Sequence, residues 1–376
     1  MALTLSDLAT PCLILNRTIL ARNIDSMAAQ ARCLGVALRP HMKTAKSIDV
    51  ARMAIGAGAR GITVSTLAEA AYFARHGIRD MIYAAGITPR KLDTVAALNA
   101  AGADIAVITD DPATAAIIAA NPSPVRTLVE VDTGEHRGGM ASSDDRLLAV
   151  AANLGDRLAG VLTHAGHSYA GRTVAEMADI AELERAGITE AADRLRATGH
   201  TVGIVSMGSS PTVRHARHLD GVTEVRAGVY MFGDLFQAGI HTHAVDDIAM
   251  TVLASVIGLR PAEHSLVIDA GGIALSKDRS TQAGPHDYGF GLMLDEAGRA
   301  TYGESTVVNA YQEHGVVACD PVRPFPKLAI GDLVRIAPNH TCMTAAAHEA
   351  YHVVDGGQDV LAVWRRVNGW TATLSG

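Results

Sequence analysis

Lys43 closes a short apolar run in the segment Arg39-Pro40-His41-Met42-Lys43-Thr44. A lysine at the end of a buried strand points into whatever mouth the strand opens on. Removal from water there favours a neutral amine that can act as nucleophile or base. The competing reading is a rim lysine that lays its stem on apolar surface and keeps its head in water. Further along, Thr163-His164-Ala165-Gly166-His167-Ser168-Tyr169 is dense in groups that hydrogen-bond or carry protons. A lone histidine in such a run is as readily a satisfied structural residue. In Ser206-Met207-Gly208-Ser209-Ser210-Pro211-Thr212, small residues let backbone N–H groups close around an anion, and a following helix start adds a favourable dipole. Taken alone, this is also an ordinary capped turn. Arg226-Ala227-Gly228-Val229-Tyr230 brings one more glycine and a phenol.

A second group lies late in the chain, in Pro338-Asn339-His340-Thr341-Cys342. In a strand, His340 and Cys342 would point to one face and converge on one atom. Imidazole with thiolate suits Zn²⁺ best among common metals, and two ligands leave positions open for chemistry. Against this stands the chance pairing of a buried cysteine with a histidine. Gln312-Glu313-His314-Gly315 offers an acid–base group in the same region, or simply a polar turn.

These residues need elements to hold them. Short β-branched runs at 36–42, 61–65, 81–85, 104–109, 126–131, 159–163, 203–207 and 224–231 read as strands. Alanine-rich stretches of helical period at 67–76, 88–100, 113–121, 143–154, 174–198 and 212–219 fall between them. Eight strands alternating with helices over some two hundred residues predict a (β/α)8 barrel of the TIM type. A doubly wound sheet is the competing architecture, but no G-x-G-x-x-G follows the first strand. On the barrel reading Lys43 ends strand one, His164 follows strand six, and the two glycine loops follow strands seven and eight, where such barrels commonly bind phosphate. An amine at strand one with an anion cradle at strands seven and eight is the layout a phosphorylated aldehyde cofactor needs.

After residue 240 the pattern changes to strands at 250–260, 265–269, 306–308, 315–318, 333–337, 350–354 and 360–365, separated by Gly, Pro and Asp turns. The expected domains are a barrel over 1–240 and a mostly β domain over 241–376, with the first dozen residues candidates to join the latter.

Composition narrows the function classes. With 376 residues, 48% hydrophobic and 19% charged, the chain is globular rather than disordered. Its net charge of −7, with scattered basic residues, excludes a nucleic-acid stripe. No apolar run reaches the length of a membrane span. Asp7 and the lack of a basic start argue against a secretory signal, so a cytoplasmic protein is expected. The 4 cysteines are too dispersed for a disulfide framework. The 16 histidines exceed the 15 aromatic residues, which fits a loop-built site better than an aromatic interaction surface.

Taken in order, Arg-Pro-His-Met-Lys43-Thr, His164 to Tyr169, the Gly-Ser-Ser-Pro-Thr212 loop, Glu224-Val-Arg-Ala-Gly-Val-Tyr230, Gln-Glu-His314-Gly and His340-x-Cys342 resemble one family. It is the D-serine dehydratase-like / D-threonine aldolase group of fold-type III, alanine-racemase-like pyridoxal phosphate enzymes. The resemblance spans essentially the whole chain. It implies that Lys43 binds pyridoxal 5'-phosphate covalently. It also implies that Tyr169, Thr212, Gly228, Val229 and Tyr230, with Ser206, Gly208, Ser209 and Ser210, hold the cofactor, and that His340 and Cys342 hold the divalent metal. His164 and Arg137, the latter in Gly134-Glu135-His136-Arg137-Gly138, are further candidates for the cofactor. Arg137 has two other readings, a partner for a second substrate carboxylate or a cap on the fifth strand. Aldolase-like members carry His-x-Asp where this chain has Cys342, which places it nearer the dehydratases.

The implied reaction is a metal-assisted loss of water from a 3-hydroxy-D-amino acid, with Lys43 taking the Cα proton, and ammonia and a 2-oxo acid as products. The rival at the same site is a retro-aldol cleavage to glycine and an aldehyde, with His314 or a water as base. Racemisation, a pyridoxal phosphate carrier without turnover, and a metal-free sugar-phosphate barrel enzyme complete the alternatives. The resemblance further implies a small-molecule D-amino acid substrate and a homodimer, with no nucleic-acid or membrane partner.

Overall fold

The computed structural model describes residues 3–372. The chain divides into two compact units. One comprises the residues up to Ile24 with Val229–Arg366, and the other comprises Asp25–Gly228 with the chain from Val367 on.

The second of these contains the barrel. Its strands are Ala37–Leu38, Ile62–Val64, Asp80–Gly86, Asp104–Thr109, Thr127–Glu130, Leu158–Leu162, Ile204–Met207 and Glu224–Val225. Each is parallel to its neighbours, and the first strand pairs with the eighth. Backbone bonds from Arg60 N–H to the Leu38 carbonyl (2.9 Å) and from Met42 N–H to the Thr63 carbonyl (2.8 Å) close the remaining seam between strands one and two. The predicted (β/α)8 architecture is therefore present, with Ile82, Ala106, Ile108, Leu128 and Leu162 forming one core cluster. Strand one is shorter than expected because Pro40 lacks a ladder donor, and pairing resumes only at His41. Strand eight ends at Val225, and the expected continuation to residue 231 is instead a 3₁₀ turn at Val229–Met231. The helix expected at 212–219 spans Ser210–His215, because Ser209 caps it and Pro211 fits its first turn. Helices Arg17–Cys33 and Ile48–Gly56 were not expected from the pattern.

Helix starts follow their capping chemistry. Thr66 Oγ1 accepts from Glu69 N–H, Asp111 precedes Pro112, and Thr173 forms a capping box with Glu176. Gly160 admits strand seven closely, since a Cβ there would run into the Ile204 carbonyl.

The other unit is mostly β. Its nine-stranded sheet contains Cys12–Asn16, Met250–Arg260, Ser265–Ile268, Leu292–Leu294, Thr306–Ala310, Gly315–Ala318, Leu333–Ala337, Ala350–Val354 and Ala362–Arg365. Met250–Arg260 pairs with Cys12–Asn16, Ser265–Ile268 and Leu333–Ala337, all antiparallel, which curls six of the strands into a closed ring. The mostly β pattern expected after residue 240 is interrupted at the short helices Gly272–Leu275 and Thr341–Ala345, and Leu235–Gly239 precedes it. Among the described residues, no helix is long and apolar enough to cross a membrane.

Candidate active site

The barrel interior is wired by buried charge, from the amino ends of its strands, where Asp80 and Glu224 stand, up to Thr163 beyond strand six. Arg39 is 1% exposed and donates to both oxygens of Glu224 at 3.0 Å and to both of Asp80 at 3.0 Å. Gly61 makes room for it, since a Cβ there would lie 2.5 Å from the guanidinium. Glu224 also accepts from Ser206 Oγ at 2.8 Å. Ser206 accepts in turn from Arg226 Nη1 at 2.7 Å, and Arg226 Nη2 donates to the Thr163 carbonyl. The Ser206 hydroxyl is thus committed to this network, beneath the glycine loop rather than on it.

Lys43 stands exposed just past strand one, its backbone N–H 3.3 Å from His41 Nδ1. Burial holds the His41 imidazole well below its usual range, and the charges of Lys43, Arg226 and Arg137 add to this. His164, just past strand six, donates from Nδ1 to the Gly208 carbonyl at 2.9 Å. Burial depresses its pKa to about 3; the Gly208 bond opposes this, while Lys43, Arg226 and Arg137 reinforce it. Both imidazoles are neutral at neutral pH, in a mouth dominated by positive charge. Arg137 is exposed beyond strand five and acts there through space.

The loop after strand seven turns on Gly208, whose φ of +125° suits glycine and whose Cβ would meet the Arg226 carbonyl at 2.7 Å. Its N–H donates to Glu184 at 2.9 Å, as does that of Ala165 at 2.9 Å. One buried carboxylate therefore ties the loops after strands six and seven together. Ser209 caps the helix through Thr212 N–H and meets Ser168 Oγ at 2.9 Å. Ser210 and Thr212 are buried beside it. Tyr169 sits half-buried in the 3₁₀ turn Gly166–Ala170. Gly228 passes so close to strand one that a Cβ would lie 2.8 Å from the His41 carbonyl.

In the β unit, Val229 and Tyr230 are buried in their 3₁₀ turn, and the Tyr230 carbonyl pairs with His243 Nε2 at 2.8 Å. His340 and Cys342 do come together, though not by strand alternation. The strand stops at Ala337, His340 has extended backbone before the helix Thr341–Ala345, and Cys342 lies in that helix's first turn. Burial lowers the His340 pKa, but hydrogen bonds with Asp278 and Cys342 and the charge of Asp234 outweigh it and raise it to about 11. Asp278 Oδ2 is 3.5 Å from His340 Nδ1. Burial acts upward on Asp278, but bonds from His340 and Ser280 hold it at about 2. Asp234 caps the helix Leu235–Gly239 and accepts Thr341 N–H at 3.1 Å. His314 is exposed in the turn between Thr306–Ala310 and Gly315–Ala318.

Residues 15–235 match the family described as alanine racemase, N-terminal domain, and residues 249–354 match the putative serine dehydratase domain. The chain belongs to the alanine-racemase-like family of fold-type III pyridoxal phosphate enzymes. It is 41% identical to the D-threo-3-hydroxyaspartate dehydratase of Delftia sp. strain HT23, over 98% of this chain and 99% of that one. The solved structure of that dehydratase superposes with a TM-score of 0.93, covering 98% of this chain and all of the other. The D-serine dehydratase of Dictyostelium discoideum is 29% identical over 97% of this chain and 98% of its own. A 3-hydroxy-D-aspartate aldolase of Paracoccus denitrificans strain Pd 1222 is 30% identical over 96% and 92%.

For a member of the alanine-racemase-like family, the barrel mouth fits the cofactor on its own geometry. It offers an exposed amine, a surplus of positive charge for a phosphate, and two glycines, Gly208 and Gly228, where a side chain would collide with backbone. His340 and Cys342 supply the imidazole and thiol a soft divalent ion prefers. Among the described residues no three His, Cys, Asp or Glu side chains are arranged to hold an ion, so the pair leaves coordination positions to other ligands.

Reading the sequence missed Glu184, Asp234 and Asp278. Glu184 had a signal, because it falls in the buried stripe Met177, Ala181, Glu184, Ile188 of the helix Val174–Ala197. A glutamate in an apolar stripe needs buried partners. Asp234 precedes Leu235 as an N-cap would. Asp278 sits in an irregular polar loop with no spacing to betray it.

Proposed function

We propose that the chain is a pyridoxal phosphate- and metal-dependent dehydratase, removing water from a 3-hydroxy-D-amino acid and releasing ammonia and a 2-oxo acid. The observation that carries this reading is Lys43 at the mouth of a closed parallel barrel, its charge bearing on two histidines held neutral. In this reading Lys43 would hold the cofactor covalently and would serve as general base for the substrate's Cα proton. Gly208, Ser209, Ser210, Thr212 and Gly228 would hold the phosphate end, with Tyr169, His164, Arg137, Val229 and Tyr230 completing the cofactor's surroundings and Ser206 bracing the loop from beneath. Bound pyridoxal phosphate supplies an electron sink for the pair left at Cα. His340 and Cys342 hold a divalent metal, zinc being the best match, which supplies Lewis acidity for the departing β-hydroxyl. Proton and hydroxide leave as water, and the resulting enamine takes up water to give the 2-oxo acid and ammonia. A second carboxylate on the substrate would meet the charge of Arg137, which favours 3-hydroxy-D-aspartate within the class. The same reading has the protein act in the cytoplasm as a homodimer.

The test is product analysis of cofactor- and zinc-loaded protein with D-threo-3-hydroxyaspartate, D-serine and D-threonine. Ammonia with a 2-oxo acid is expected. Glycine with an aldehyde would instead establish the retro-aldol reading, which the aldolase relative favours and in which His314 is the candidate base. Neither product set from any substrate overturns both.

A further inference from the structure

Arg335 lies on the strand Leu333–Ala337, and it is 3% exposed. It is paired with Leu253 on one side and Leu294 on the other. Alternation sends Val334 and Ile336 to the opposite face and leaves Arg335 on the face of Leu253 and Leu294. Among the described residues no hydrogen bond or ion pair reaches it, and its Nε and Nη2 are buried without an acceptor. Burial lowers its pKa to about 10, which leaves it charged at neutral pH. A buried cation lacking acceptors is among the least favourable arrangements a folded chain holds.

The same side chain lines a cavity of about 290 Å³ in the β unit. Asn16 and Ile19, at the start of the helix Arg17–Cys33, form another wall, and Thr251 a third. Gly298 turns over the guanidinium with φ +84°, and a Cβ there would lie 3.1 Å from Nη1. Three acids lie near. Asp246 lines the cavity and is exposed, while Asp295 and Glu296 act on Arg335 through space. The Asp295 carboxylate is already engaged by Arg299 and Thr301.

We propose that this cavity binds a small monocarboxylate, which accepts from the part of the Arg335 guanidinium that lines it and neutralises a buried cation held in no ion pair. A planar carboxylate matches guanidinium geometry and forms charge-assisted bonds with it. Three acids facing Arg335 and Arg299 disfavour a phosphate dianion more than a single negative charge. The volume, larger than that of a cavity that holds benzene, accommodates acetate or a short-chain acid.

The test is the melting temperature of the full-length, cofactor-loaded protein titrated with sodium acetate against sodium chloride at constant ionic strength, and with inorganic phosphate in a parallel arm. Wild type should show a saturable rise on the order of 3 °C at a hundredfold excess over Kd. Arg335→Met, which keeps volume and removes charge, should melt no lower than wild type without acetate and show no acetate response. Using the difference between the two proteins removes any binding of acetate elsewhere. A wild type without a saturable rise, an equal rise in both proteins, or a rise with phosphate alone overturns the proposal. Ala297→Phe, on the half-buried turn beside Gly298, narrows the cavity without touching the guanidinium and should weaken acetate at least tenfold; an undiminished response there also overturns it.

Discussion

His164 and His340 carry the same side chain in opposite electrostatic settings. At the barrel mouth burial lowers the His164 pKa to about 3, with Lys43, Arg226 and Arg137 pushing the same way. In the β unit Asp278, Cys342 and Asp234 overcome burial and raise His340 to about 11. The two regions are therefore prepared for ligands of opposite sign. The first repels a proton and suits a phosphate or a carboxylate. The second gathers negative charge around an imidazole and suits a cation. Neither conclusion depends on a motif, since each follows from the burial of one ring and the charges facing it.

Removing the amine tests the first region and carries the largest effect. Lys43→Ala is expected to lower kcat by at least ~10⁴-fold, since it removes the proposed general base together with the covalent anchor. The absorbance of the lysine-bound cofactor should vanish with it. A mutant keeping that absorbance would take Lys43 out of the site and leave the positive mouth without its proposed purpose.

The second region is tested by His340→Ala, read beside chelation of the wild type. Both should lower kcat by about a hundredfold, a loss within the several kcal/mol available to Lewis-acid catalysis, while the cofactor absorbance stays unchanged. A chelator-insensitive activity would mean that the acids around His340 serve a proton alone.

The two regions also differ in how much of each could be read from the sequence. Eight β-branched runs alternating with helical stretches were enough for the barrel, because a parallel strand buried on both faces is written as a continuous apolar run. Lys43, His164 and the glycine loop after strand seven therefore fall at strand ends on the sequence pattern alone. The ends themselves were harder. Pro40 breaks the first ladder, and after strand eight the chain passes close to His41 at Gly228 and then turns at Val229–Met231, neither of which a local period shows. In the β unit the three-residue strand Leu292–Leu294 is too short to show a period. The contact between His340 and Cys342 was foreseen for the wrong reason, since a helix start rather than strand alternation produces it. Asp278 reaches His340 from 62 positions away in numbering, and only tertiary structure brings the pair together.

The smallest expected effect separates a neutral histidine from a charged one directly. In the folded chain His164 has a depressed pKa of about 3, whereas unfolded it titrates near its ordinary value of about 6.5. Below about 6.5 the unfolded state binds a proton that the folded state does not, so stability present above that pH is lost progressively as pH falls towards 3. From pH 7 to pH 5 the loss from this residue is at most about 2 kcal/mol, set by the 1.5 units between pH 5 and about 6.5. His164→Gln, whose amide can still donate to the Gly208 carbonyl, removes the titration while keeping a donor at that position. Urea unfolding of both proteins at pH 7 and pH 5 should show a steeper fall for wild type. His41, depressed by the same surroundings, supplies a residual slope in the variant. Equal slopes would mean that His164 gains its proton in the folded state too, and the barrel mouth would then be less positive than its arginines and lysine imply.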